Sequence, residues 1–160
     1  MVNARIATGA AQPVNRTGKT AGYAGEEGEL VGLTVNSGEV EVVKADAASG
    51  EQQAATGVLF GPVEDLSTYS DELQGLARQM AETNRVTLGD KVTFVRNGIV
   101  VENTDGDWGF TPNDPVYLDV GGGFTQTEPS ATDEVQQVVG VAIDEEQVFL
   151  DVDADYTTAA

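Results

Sequence analysis

The chain has no cysteine and no histidine. Without cysteine there is no disulfide to staple the fold and no thiolate nucleophile. Without histidine the commonest general base and metal ligand is missing. Lysine is scarce, with only three among the eight basic residues. No apolar run approaches the roughly 20 residues that cross a bilayer. The first residues lack the apolar stretch of a secretory signal. No membrane partner and no disulfide framework are therefore expected.

What is present is acid. The 27 acidic residues against 8 basic ones leave a net charge of −19. Phosphate backbones are bound by Lys and Arg, so nucleic acid is not an expected partner. Many carboxylates and few lysines are the surface chemistry of proteins from salt-loving organisms. In molar salt the Debye length shrinks to about 3 Å and self-repulsion is screened.

The charge is unevenly spread. Residues 1–25 hold no acid and carry Arg5, Arg16 and Lys19 among Gly, Ala, Thr and Asn. With only Ile6, Val14 and small residues to bury, this stretch is not expected to fold alone. It reads as a flexible, extended N-terminal arm in which Arg5, Ile6, Val14, Arg16 and Lys19 are candidate partner contacts; a solvated tail is the alternative. Pro13 to Thr20 come close to a phosphate-binding loop, but Pro13 stands where the first glycine belongs and no apolar strand precedes it. Nucleotide binding is not expected.

Residues 26–160 read as one β-rich domain. Leu30 to Val35 form a strand, Asn36-Ser37-Gly38 a turn, and Glu39 to Val42 alternate with period two. Gly57 to Phe60 make a short strand stopped at Pro62. Leu66, Tyr69, Leu73, Leu76 and Met80 recur at steps of three and four, which predicts an inserted helix near 66–83 with one apolar face. Three hairpins are then expected. Val92–Val95 meets Ile99–Val101 through Asn97-Gly98, a pair suited to the two positive φ angles of a type I′ turn. Val116–Leu118 meets Phe124–Gln126 through Gly121-Gly122-Gly123, in a phrase offset by 24 residues from the first. Val135–Ile143 meets Gln147–Val152 through Asp144-Glu145-Glu146. The fold class is mainly β: a small antiparallel barrel or sandwich with one inserted helix.

The acidic loop Asn103 to Phe110 holds the only Trp. Its alternating oxygens invite a calcium reading, but Trp108 stands where the EF-hand pattern needs glycine and Asp114 where it needs glutamate, so no metal is expected. Trp108 and Phe110 are candidate partner anchors, or else a plug for one end of the barrel. No nucleophile and base stand together, and no carboxylate pair lies in an apolar context that would shift its pKa. Neither an enzyme nor a cofactor is expected.

Asn113-Asp114-Pro115-Val116-Tyr117-Leu118, the glycine turn, Val138-Val139-Gly140-Val141-Ala142-Ile143 and Val148 to Val152 together resemble the β-rich head decoration proteins of tailed viruses. Gly28 to Leu33 and Thr56 to Leu59 fit the same pattern; the helix and the Asn103–Phe110 loop depart from it as insertions. The resemblance implies a structural virion protein on the outer surface of the capsid, assembled in the host cytoplasm. It implies a homotrimer whose partner is the major capsid protein, clamping neighbouring subunits from outside. With the acidic composition, it points to a virus of a halophilic host. Two other readings remain: a host β-barrel binding module for carbohydrate or metal, with a pocket lined by Trp108, Phe110 or Tyr117, and a tail or baseplate β protein.

One expectation follows from charge alone. Folding concentrates like charges that salt screens. The melting temperature should rise steadily from dilute buffer to molar KCl in a differential scanning experiment. A flat or falling trend would contradict the screening argument.

Overall fold

The computed structural model describes residues 4–9, 14–16, 25–61, 63–64, 70, 86–87 and 92–160. The strands are β1 (Ala4–Gly9), β2 (Val14–Arg16), β3 (Leu30–Asn36), β4 (Glu39–Lys44), β5 (Gly57–Leu59), β6 (Val63–Glu64), β7 (Val86–Thr87), β8 (Val92–Val95), β9 (Asn97–Asn103), β10 (Pro115–Leu118), β11 (Phe124–Thr125), β12 (Val135–Gln136), β13 (Val138–Asp144), β14 (Gln147–Asp151) and β15 (Thr157–Thr158). No described residue is helical. The expected helix near 66–83 lies outside the described residues save Ser70, and so does Lys19.

Two curled antiparallel sheets form half-barrels. One has six strands in the order β1-β9-β14-β13-β10-β11, the other five in the order β2-β8-β5-β3-β4. Val101, Val148 and Ala142 stand opposite one another across β9, β14 and β13. Leu30, Val58 and Val95 do the same across β3, β5 and β8. All six are buried in one cluster, which places these rows on inner faces packed together. Each of the valine and leucine side chains among them contributes roughly 1.5–3 kcal/mol by leaving water, and Ala142 less. The alternate residues Val31, Val42, Leu59 and Phe94 form a second cluster. The five-stranded sheet thus has apolar residues buried on both faces, which is why Leu30-Val31 and Val58-Leu59 run unbroken rather than alternating with polar residues.

The turns divide by their backbone needs. Asn36 pairs with Glu39, leaving Ser37 (φ 51°) and Gly38 (φ 82°) as the two-residue loop, the φ signs of a type I′ turn. Gly121, Gly122 and Gly123 all have positive φ and connect β10 to β11 as expected. Gly122 also packs on the other sheet's strand end. A Cβ there would lie 2.6 Å from Lys44 Cε and 2.8 Å from the Ala45 carbonyl oxygen. Asp46 holds this contact, its Oδ1 accepting from the Gly121 and Ala48 amides at 2.7 and 2.8 Å.

Two expectations are corrected. Asn97-Gly98 does not close a hairpin: β8 belongs to the five-stranded sheet and β9 to the six-stranded one. Only Gly98 takes positive φ (80°), and both residues open β9, directly after the corner at Arg96 where the chain changes sheets. The Val152 amide donates to the Arg96 carbonyl at 3.2 Å at that corner. The 24-residue offset is therefore a likeness of sequence and not a repeated hairpin. The run Val135–Ile143 is likewise not one strand, because it breaks at Gln137. Its first part, β12, pairs with β15 near the C-terminus, while β13 pairs with β14 and β10. A further short pair, β6 with β7, is parallel, with Val63 opposite Val86 and Glu64 opposite Thr87.

Among the described residues, burial raises the pKa of two carboxyls. Glu29 is pushed up by desolvation, against the pull of the Glu26 amide and Lys44, with Glu26's own charge adding to the rise. Asp119 is raised by desolvation and by the nearby charges of Asp46 and Glu134, against the Val120 amide. A raised carboxyl favours the fold in its protonated form. Its contribution is full below the ordinary carboxylate range and is lost as pH rises through the raised value. Glu29→Gln should therefore melt higher than the native chain at neutral pH in a calorimetric scan. The advantage should vanish in acid, where Glu29 is already protonated. A gain that persists unchanged at low pH would contradict this assignment.

Candidate functional site

The residues that the sequence nominates do not come together. Arg5 and Ile6 lie on β1 at an edge of the six-stranded sheet, in register with Glu102 and Val101. Val14 and Arg16 lie on β2 at an edge of the other sheet, in register with Phe94 and Val92. The segment expected as an arm thus contributes an edge strand to each sheet. A shift in the β1 register between Ile6 and Thr8 marks a bulge, a device that discourages edge-to-edge pairing.

Trp108 and Phe110 do meet. Their rings stack with centroids 4.9 Å apart, and Trp108 leans on Phe124 at 5.2 Å. Phe110 is 6% exposed and belongs to the main core; Trp108 is half-buried against it. This geometry is that of a plug. The loop beneath is tied down by Glu146, whose carboxylate accepts from the Trp108 and Gly109 amides at 3.1 Å and from Asn103 Nδ2 at 2.7 Å. Asn103 Nδ2 also reaches Asp107 at 2.7 Å, and Asn103 Oδ1 accepts from the Asp105 amide. Of the oxygens that suggested calcium, Asn103 Oδ1 and Asp107 Oδ1 are engaged in folding their own loop.

Two features escaped the sequence reading. The first is the outer face of the six-stranded sheet. Val100, Phe149, Val141 and Pro115 stand opposite one another across β9, β14, β13 and β10. Phe149 is 42% exposed and Val141 40%, and Ile143 beside them is 47% exposed. Glu102, Gln147 and Asp144 continue the register on one side, and Asp151 opposite Asn97 on the other. The result is an apolar row between acidic flanks. Alternation along Gln147–Asp151 was visible in sequence, but both of its faces carry apolar residues, so the outward one was not distinguishable.

The second is a pocket of about 400 Å³ at the corner where the chain changes sheets, lined among others by Gln52, Gln53, Thr56, Arg96, Gln137 and Tyr156. Gln137 is 2% exposed and forms part of the wall. Its Oε1 accepts from the Ala55 amide at 2.7 Å, while its Nε2 donates to the carbonyls of Ala55 (2.8 Å) and Asp153 (2.7 Å). It thereby copies a strand's bonding with a side chain.

No protein-family model matches this chain, and no curated protein matches it in sequence.

Gln137 generates a direct test. A methionine of similar volume would leave the Ala55 amide and two carbonyls without this partner. Buried unpaired groups cost about 1–3 kcal/mol each. Gln137→Met should lose about 2–4 kcal/mol in urea denaturation, against a loss near zero if water simply replaces the amide.

Proposed function

We propose that the protein is a structural virion component that decorates the icosahedral head of a tailed virus and bridges major capsid subunits from outside. The observation that carries this reading is the apolar row Val100–Phe149–Val141–Pro115 on a sheet face of an otherwise strongly acidic chain. Contiguous exposed apolar surface marks interaction sites in soluble proteins. An antiparallel sheet holds such a row rigidly, so little ordering entropy opposes docking. The flanking Asp144 and Asp151 favour a partner with basic groups around an apolar centre. A second copy of the chain would bring acid against acid at this face.

The same reading assigns trimer contacts to the sheet edges that β1 and β2 leave open, with Arg5, Ile6, Val14, Arg16 and Lys19 as partner contacts. Trp108 gives a further contact at the plugged end, and Phe110 supports it from the core. It retains a leading arm over 1–25, whose β1 and β2 join the sheet edges, as a feature of the family pattern, the helix near 66–83 as an insertion that departs from that pattern, adaptation to high salt, and a role without catalysis. The binding-module alternative called for a pocket lined by Trp108, Phe110 or Tyr117; the pocket at Arg96 is lined by none of them.

Sedimentation equilibrium in molar KCl should give a trimer, and the chain should saturate heads of the encoding virus that lack it. Phe149→Asp, with its melting temperature retained, should occupy those heads at least about tenfold more weakly, the loss of about 1.4 kcal/mol. A monomer that leaves the heads bare would overturn the reading. Equal occupancy by Phe149→Asp would instead move the contact to another face.

A further inference from the structure

The pocket at the sheet-changing corner has a character unlike the rest of the molecule. None of its lining residues is acidic, in a chain with 27 carboxylates. Its one charge is Arg96. The Arg96 side chain is exposed and has no ion pair or hydrogen bond among the described residues. An arginine without a carboxylate partner in so acidic a protein leaves its planar donor fork free for a ligand.

The walls add uncharged hydrogen-bonding groups. Gln52 is held at φ 46°, a backbone conformation costly for a residue with a side chain and concentrated at functional sites. Its Nε2 is fixed by the Asp133 carbonyl at 2.9 Å, which leaves its Oε1 available. Gln53 is anchored similarly through Nε2 to the carbonyls of Ala54 and Leu33 at 3.2 and 3.4 Å. Thr56 contributes a hydroxyl. Tyr156, 51% exposed, offers a ring face and a phenol. Gln137, with its amide committed to backbone, makes a rigid wall. The volume falls in the range of small-ligand sites, roughly 300–1,000 Å³.

From these groups we infer that the pocket binds a monoanionic sugar acid: a carboxylate on Arg96, ring hydroxyls on the amide oxygens and Thr56, and the sugar's apolar face on Tyr156. A single guanidinium matches a single negative charge. A phosphate ester or polyanion would bring more charge than one arginine offsets, into the field of a −19 chain. A fatty acid would find polar walls instead of an apolar tunnel. This site is separate from the proposed docking row and holds whatever that row contacts.

The test is an amide-resolved NMR titration of the isotopically labelled full chain with sodium glucuronate at constant ionic strength. Glucose and acetate serve as controls. Saturable shifts should appear at Thr56, Arg96, Ala154 and Tyr156. Glucose, lacking the charge, and acetate, lacking the hydroxyls, should each bind at least about tenfold more weakly. Arg96→Gln should abolish saturation while keeping the native melting temperature, because only the Arg96 backbone is bonded within the fold. Tighter binding of digalacturonate than of glucuronate would support a glycan-borne residue as the ligand, and equal binding a free sugar acid. Three results would overturn the inference: no saturable shift, equal affinity for acetate, or undiminished binding by Arg96→Gln.

Discussion

The two half-barrels depend on a seam closed by one buried amide. Gln137 reaches from between β12 and β13 to both backbone groups of Ala55, just ahead of β5, and to the Asp153 carbonyl beyond β14. Its own carbonyl accepts from the Leu118 amide at 3.0 Å. Four stretches of chain, distant in sequence, are thereby held in one arrangement. Backbone bonds extend the seam: the Ala47 amide donates to Asp119, and Ala47 in turn accepts from Val135. Apolar packing between sheets tolerates sliding and repacking, whereas a fully satisfied buried polar group does not. The seam therefore decides the relative setting of the sheets, and the core of Leu30, Val58, Val101, Val148 and their neighbours supplies the driving force.

The setting of the sheets also creates the functional geography. Where the chain leaves β8 for β9, Arg96 is left at a corner beside Gln137, with its side chain facing a pocket free of carboxylates. On the opposite side of the six-stranded sheet's inner row, the pleat turns Phe149 and Val141 outward between acidic flanks. Charge repulsion spread over the remaining surface makes these two places, one apolar and one cationic, stand out as points of attraction. On the two readings proposed above, recognition falls at the interruptions in a strongly charged surface.

Much of this was legible from local chemistry. Ser37-Gly38 and the triple glycine predicted their turns because positive φ is a local requirement, satisfied or refused residue by residue. The hairpin of β13 and β14 followed from alternation around an acidic turn. The same logic went astray at Asn97-Gly98, since a glycine with positive φ sits beside a corner between sheets as readily as in a hairpin within one. The run Val135–Ile143 looked continuous because Gln136 and Gln137 are the only polar residues in it, and nothing local distinguishes a solvent-facing glutamine from one that bonds the backbone 82 residues away.

By itself, then, the sequence determined the β class, the positions of most strands, the glycine turns and the acidic character, all of which arise from steric and electrostatic terms acting over a few residues. It also determined that thiol and imidazole chemistry have no place here. Only the tertiary structure decided which strands share a sheet, because register and partner choice depend on burying one face against residues far along the chain. That assignment alone turned Phe110 into core, exposed Phe149, and placed Arg96, unpaired among the described residues, beside Thr56 and Tyr156. No residue in that set neighbours another in sequence, and their proximity comes from long-range packing and not from any local preference.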